Sequence, residues 1–179
     1  NRRIAVLDAS TGEFIRHWGA YGNVPDDAPL PPYSPDDPPA QQFRSPVHCA
    51  QISHDGLVYV CDRAGDRIQV FQRDGTYVDE VVIAKATMGE GSAWDVDVSP
   101  DEQQTFLYVA DGTNQRVWIV QRATLEVLGS FGRRGHGAGE FHWIHRLVVD
   151  SQGNLYTGEV NRGRRLQKWV LAEDNAATE

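Results

Sequence analysis

A recurring motif constrains the fold of this chain more than any other feature of the sequence. The fullest copy, Phe141–Leu171, reads as three short strands separated by turn residues. Upstream copies span Val47–Gly75 and Trp94–Glu126, and a partial copy opens the chain at Asn1–Gly19. A period of roughly 45–50 residues, with about four strands per copy, is typical of a β-propeller. We therefore predict an all-β protein built from four-stranded antiparallel blades.

The copies align at an acidic residue that ends the second strand and an arginine that begins the third. Such a repeated acid and arginine indicate an ion pair that ties two strands of a blade together, so we expect a structural role for them and not a catalytic one. The three acid–arginine pairs are Asp62 with Arg67, Asp111 with Arg116, and Glu159 with Arg165.

The strand pattern divides the chain into consecutive segments of one propeller domain. These are a partial blade (1–22), a loop rich in proline and aspartate (23–42), two complete blades (43–93 and 94–140), a last blade of three strands (141–171) and a polar tail (172–179). The domain thus holds about three to three and a half blades. A propeller must close on itself because an open blade exposes unpaired strand edges. We expect either a partial ring or a homodimer that forms one six-bladed ring, in which strand Glu13–Trp18 of one chain completes the last blade of the other.

Charge and hydropathy exclude several classes of partner. The net charge of -8 disfavours nucleic acid, which requires a basic surface. No apolar run approaches the roughly 20 residues that cross a bilayer, so we expect no membrane partner. The chain begins inside a repeat, which leaves the compartment unknown. A secreted or periplasmic protein is expected if an upstream signal peptide has been removed.

The two cysteines, Cys49 and Cys61, flank the first turn of the first complete blade. Each lies six residues from Asp55, near the centre of that turn, so a tight hairpin places the two opposite each other. A cross-strand disulfide is one interpretation of this spacing. We expect instead two small reduced side chains packed within the blade.

Several short motifs resemble the NHL-repeat family of β-propellers. The matching motifs are Gly137–Phe141, Leu147–Asp150, Gly153–Tyr156 and Arg165–Trp169. The resemblance covers nearly the whole chain outside residues 23–40 and implies an NHL-type propeller. Family members include protein-binding and RNA-binding modules, sensor domains and a few enzymes, so the resemblance does not specify a function.

One enzyme family within this group, the peptidyl-α-hydroxyglycine α-amidating lyases, is similar in more detail. Those enzymes are six-bladed propellers that hold zinc in the central channel with three histidines at the starts of innermost strands. His48 and His145 each precede a first-turn glycine by eight residues and fall on that position, whereas Trp94 occupies it in the middle blade. The lyases carry an aspartate directly after one histidine, where this chain has Cys49 and Arg146. The resemblance implies His48 and His145 as metal ligands.

Propeller geometry predicts a layer of side chains in the channel, formed by His48, Trp94 and His145 with Arg146 beside it. A zinc site needs three or four ligands. One chain offers two histidines, and two chains closed as a ring would offer four. The alternative is that both imidazoles form hydrogen bonds around a water-filled channel. We therefore predict a binding or scaffold module of unassigned ligand, with a metal-dependent lyase that uses a divalent metal such as zinc as the alternative.

Overall fold

In the computed structural model, which describes residues 2–171, thirteen strands form antiparallel sheets of two, four, four and three strands. Each sheet is a meander of strands consecutive in sequence, so the prediction of an all-β chain of about three and a half propeller blades is confirmed. The strands are β1 (Ile4–Leu7) and β2 (Phe14–Trp18); β3 (Val47–Ile52), β4 (Val58–Asp62), β5 (Arg67–Phe71) and β6 (Tyr77–Val82); β7 (Asp95–Val98), β8 (Phe106–Asp111), β9 (Arg116–Gln121) and β10 (Glu126–Phe131); and β11 (Ile144–Val149), β12 (Leu155–Glu159) and β13 (Leu166–Trp169).

Two short 3₁₀ helices, Ala20–Gly22 and Arg63–Gly65, complete the regular structure of the described part of the chain. Neither is long or apolar enough to cross a bilayer. The polar tail predicted at 172–179 lies outside the described residues.

Apolar side chains bury the faces of neighbouring blades against each other in three clusters. Trp18 and Phe71 join the first two sheets, Ile68 and Val109 belong to the cluster between the second and third, and the third cluster includes Ile144. Because neighbouring blades cover its faces, the middle of the first complete blade is the most protected, and β4 and β5 are buried throughout. The core is therefore a series of layers between blades.

The predicted acid–arginine ties form in two of the three blades. Arg67 Nε lies 2.9 Å from Asp62 Oδ2, and Arg165 Nε lies 2.8 Å from Glu159 Oε1. Both carboxylates are fully buried, so each arginine compensates a charge that would be costly to bury alone.

The prediction is wrong in the middle blade, where Asp111 and Arg116 do not pair. Asp111 Oδ2 instead accepts hydrogen bonds from Trp118 Nε1 at 2.9 Å and Asn114 Nδ2 at 2.8 Å. Arg116 donates to Ser130 Oγ at 3.2 Å. The neutral indole and amide donors replace the guanidinium, and they satisfy the carboxylate without a charged partner.

A disulfide joins Cys49 of β3 to Cys61 of β4, so the expectation of reduced cysteines is wrong. The two residues are directly opposed in the antiparallel register, with Cα atoms 4.9 Å apart. This separation lies within the range of about 4.4–6.8 Å that a disulfide spans.

The proline-rich segment 23–42, which we call the strap, contains no strand. Side-chain hydrogen bonds fix it to the blades: Arg67 Nη2 donates to the Ala40 carbonyl at 2.8 Å, and the Tyr33 hydroxyl donates to the Lys85 carbonyl at 2.6 Å. Proline removes backbone donors, so these side chains supply the contacts that a β-ladder would otherwise provide.

Candidate functional site

Three aromatic side chains from three consecutive blades meet at the starts of the innermost strands. The ring centroids lie 4.8 Å apart for His48 and His145, 5.4 Å for His48 and Trp94, and 5.6 Å for Trp94 and His145. The structure thus brings together the side chains that sequence reasoning assigned to one layer. We refer to His48, Trp94 and His145 as the channel layer.

Both histidines of the channel layer sit at β-bulges. The register between β3 and β4 shifts between Val47 and Cys49, and that between β11 and β12 shifts between Ile144 and Arg146. Each histidine is therefore the extra residue of its strand. A bulge re-aims a side chain, and bulges are common beside functional sites. Sequence reasoning missed this feature, and the one available signal was the shared spacing to the turn glycine.

His48 is held in one tautomer by the backbone of the next blade. Its Nδ1 lies 2.5 Å from the Trp94 carbonyl oxygen, which can only accept, so Nδ1 carries the proton. The lone pair of Nε2 is then available to a ligand. Burial lowers the pKa of His48, while the bond to the Trp94 carbonyl acts in the opposite direction. The lowered pKa favours the neutral form of the His48 imidazole.

Trp94 forms a buried wall behind the histidines, with only 4% of its surface exposed. Its Nε1 donates to the Gly91 carbonyl at 2.8 Å. The guanidinium of Arg63 lies 4.3 Å from the ring centroid, and the Trp143 ring lies at 5.4 Å. These contacts cover the faces of the indole, so Trp94 positions the imidazoles and presents little surface to a ligand.

Arg146 places an exposed positive charge next to His145. Its side chain is 70% exposed, and its Nε lies 3.4 Å from Asp95 Oδ2. That carboxylate also accepts the backbone N–H of Leu147 at 2.9 Å. Because Arg146 is not committed to a close hydrogen bond, its guanidinium can turn toward a bound group.

Side chains of β7 hold the neighbouring innermost strands in place. Asp97 accepts from the backbone N–H of Val149 at 2.8 Å through one oxygen and from Gln51 Nε2 at 2.9 Å through the other. With Asp95, these bonds occupy backbone donors on the edge of β11 that does not pair with β12. The strands that carry the channel layer are thus fixed relative to one another.

The remaining histidines do not join the channel layer. His142 precedes β11, and its ring stacks on that of His136 at a centroid distance of 4.8 Å. His17 and His54 are exposed. Within residues 2–171, no group of three or more His, Cys, Asp or Glu side chains is arranged to hold a metal ion.

Known structures support the propeller fold. No protein-family model and no curated protein matches the sequence. The chain is similar to hydrazine synthase of Kuenenia stuttgartiensis (TM-score 0.59, 13% identity), with 93% of this chain and 39% of that chain covered. It is also similar to a streptogramin B lyase (TM-score 0.55, 17% identity), with 98% of this chain and 50% of that chain covered. A third similar structure is virginiamycin B lyase of Staphylococcus aureus (TM-score 0.57, 12% identity), with 97% of this chain and 50% of that chain covered. The chain therefore spans half or less of the length of these structures.

Proposed function

We propose that this chain is a ligand-binding β-propeller module of the NHL-repeat type, with its ligand site at the channel layer. The observation that supports this proposal is the convergence of two bulged histidines from different blades, whose rings lie 4.8 Å apart. Both imidazoles are only partly buried, so they remain accessible to a ligand. The propeller fold supplies the rigid framework that such a site requires.

The chemistry of the layer defines the kind of ligand that it suits. Nε2 of His48 accepts a hydrogen bond, because Nδ1 is bonded to the Trp94 carbonyl. The exposed guanidinium of Arg146 attracts an anionic group. The favoured ligand therefore carries both a hydrogen-bond donor and a negative charge.

A thermal-shift screen of small molecules and short peptides tests the proposal. Compounds that raise the Tm of the wild type are expected to lose the shift in the double variant His48→Ala/His145→Ala. The variant His54→Ala, which alters an exposed histidine in a turn, is expected to keep it. Compounds that bind the double variant as well as the wild type would place the ligand site elsewhere.

A metal-dependent lyase is the second candidate, and the hydrogen bond of His48 favours it. Metal-ligating histidines commonly donate their second ring N–H to a carbonyl, as His48 does. The channel layer supplies two histidines, however, and zinc requires three or four ligands, so the described residues do not form a zinc site on their own. Two of the similar structures are lyases by name, but at 12–17% identity they support the fold alone.

Native mass spectrometry with metal analysis of the same sample separates the two candidates. Stoichiometric zinc that disappears in His145→Ala would favour the lyase, with further ligands supplied by a second chain or by residues outside 2–171. Metal-free protein, also after incubation with zinc chloride, would favour the binding module.

A further inference from the structure

A cavity of about 650 Å³ lies between the strap and the blades, apart from the channel layer. Its volume falls within the range of roughly 300–1,000 Å³ typical of small-molecule sites. We call it the strap cavity; its lining includes Arg2, Asp27, Leu30, Tyr33, Arg44 and Ser45. No residue of the channel layer lines it.

Arg44 faces this cavity with unused hydrogen-bond donors. Its Nη1 donates to the Pro31 carbonyl at 2.8 Å, and its guanidinium lies 5.3 Å from the centre of the Tyr33 ring. Within the described part of the chain, its Nε and Nη2 make no hydrogen bond and its guanidinium has no carboxylate partner. The guanidinium is thus held in place, while the N–H groups of Nε and Nη2 remain available to a ligand.

Arg2 is arranged in the same way on the same cavity. Its Nη2 donates to the carbonyls of Asp27 and Ala28, both at 2.7 Å. Among residues 2–171, Nε and Nη1 have no partner, and Arg2 takes part in no ion pair. The carboxylate of Asp27, which also lines the cavity, is engaged by Arg3 at 2.5 Å.

Arg67 provides a comparison, because its role is purely structural. It also binds the strap, but all three of its nitrogens are occupied, and it forms ion pairs with Asp62 and Glu80. Arg2 and Arg44 also donate to strap carbonyls, but some of their N–H groups have no partner among the described residues.

We propose that the strap cavity binds a small molecule that carries an oxyanion, either a carboxylate or a phosphate. A guanidinium presents parallel N–H groups that match both oxyanions. The Ser45 hydroxyl adds a polar group, while Leu30 and Tyr33 provide an apolar surface for the remainder of the molecule. This site is independent of the channel layer and of the function proposed for it.

Calorimetric titration with benzoate, phenyl phosphate and neutral benzamide tests the proposal. We expect one of the two anions to bind at least about tenfold more tightly than benzamide, because a charge-assisted hydrogen bond to a guanidinium is stronger than a neutral one. The preferred anion identifies the oxyanion. Equal binding of all three probes, or no binding of either anion, would overturn the proposal.

Variants assign the binding to the cavity. Arg44→Gln and Arg2→Gln are each expected to weaken binding of the preferred anion about tenfold or more. Arg16→Gln, which alters an exposed arginine of β2, is expected to bind like the wild type, as is His48→Ala/His145→Ala. If Arg44→Gln does not fold, Arg44→Lys serves instead. Lysine retains the positive charge but lacks the parallel N–H groups of the guanidinium, so this variant is expected to bind the anion more weakly than the wild type. Unchanged affinity in the arginine variants would contradict the assignment.

Discussion

At the scale of single residues, the channel layer depends on a neutral His48. Burial lowers its pKa below the usual 6.5, and the neutral form keeps Nε2 available as an acceptor. We expect the His48 Hε1 resonance to titrate below the midpoint of the same residue in urea-unfolded protein. Because the unfolded state binds this proton more readily than the folded state does, the contribution of His48 to the free energy of unfolding is complete above pH 6.5. This contribution is lost as the pH falls toward the pKa of the folded state. Equal midpoints in the folded and unfolded states would contradict this interpretation.

Asp66 is a second titratable group whose burial has a measurable consequence. Its side chain has no exposed surface, and its Oδ1 accepts from the Ser92 N–H at 2.9 Å. Its Oδ2 has no hydrogen-bond partner among the described residues. Burial raises its pKa to about 7. Because the folded state holds this proton more tightly than the unfolded state does, the stabilising contribution of the carboxyl is complete below the pKa of the unfolded state. This contribution is lost as the pH rises through the pKa of the folded state.

We therefore expect Asp66 to cost the wild type about 1 kcal/mol of unfolding free energy between pH 6 and pH 8. In thermal melts this corresponds to a decrease of about 2–4 °C in Tm. Asp66→Asn keeps an oxygen acceptor for Ser92 and removes the charge, so it should lose this part of the pH dependence. The control Asp8→Asn changes an exposed carboxyl whose pKa is lowered to about 2, and it should keep the wild-type slope. A wild-type slope in Asp66→Asn would contradict the prediction.

At the scale of strands, the disulfide fixes the bulge that presents His48. Cys49 directly follows the bulged residue, and its bond to Cys61 ties β3 to β4 in this register. The last blade reaches the same bulge at His145 without a disulfide, since Arg146 and Gly158 are opposed there. The disulfide therefore stabilises a conformation that the blade adopts by itself.

Reduction of the disulfide is expected to lower stability without loss of the fold. The bond closes a loop with a sequence separation of 12 residues, for which the chain-entropy model gives about 3 kcal/mol. Thermal melts with and without dithiothreitol should differ by roughly 5–10 °C in Tm. The variant Cys49→Ala/Cys61→Ala should melt near the reduced wild type and should not respond to dithiothreitol. Two titratable thiols in the untreated, denatured protein would show that the disulfide does not form.

The strands could be predicted from the sequence because each blade repeats its turn residues and its acid–arginine pair, as at Asp62 and Arg67. The channel layer followed from the equal spacing of His48 and His145 to their glycines. The bulges could not be predicted in this way, because they depend on cross-strand register. The strap cavity was equally inaccessible, since its shape depends on hydrogen bonds between distant residues, such as the bond of Tyr33 to the Lys85 carbonyl.

At the scale of the whole molecule, the sheets at the two ends of the described chain are open. The last sheet has three strands where the complete blades have four, and Leu166 on its outer strand β13 is 82% exposed. Phe14 and Ile15 on β2 are also more than half exposed. Open edges and uncovered apolar side chains favour association. A second copy that places the free edge of β2 against β13 would complete the blade and bring a second pair of layer histidines into one ring.

We therefore predict a sedimentation mass of twice 20.0 kDa for the folded protein. Leu166→Asp places a charge in the contact between β13 and β2, and it should return the mass to that of one chain while circular dichroism remains that of a β protein. Val24→Asp alters an equally exposed side chain in the strap and should leave the dimer intact. A folded wild type that sediments as a single chain at all concentrations would contradict the dimer. The two histidines of the channel layer would then act without counterparts from a second copy, and the hypothesis of a four-histidine metal site would lose its basis.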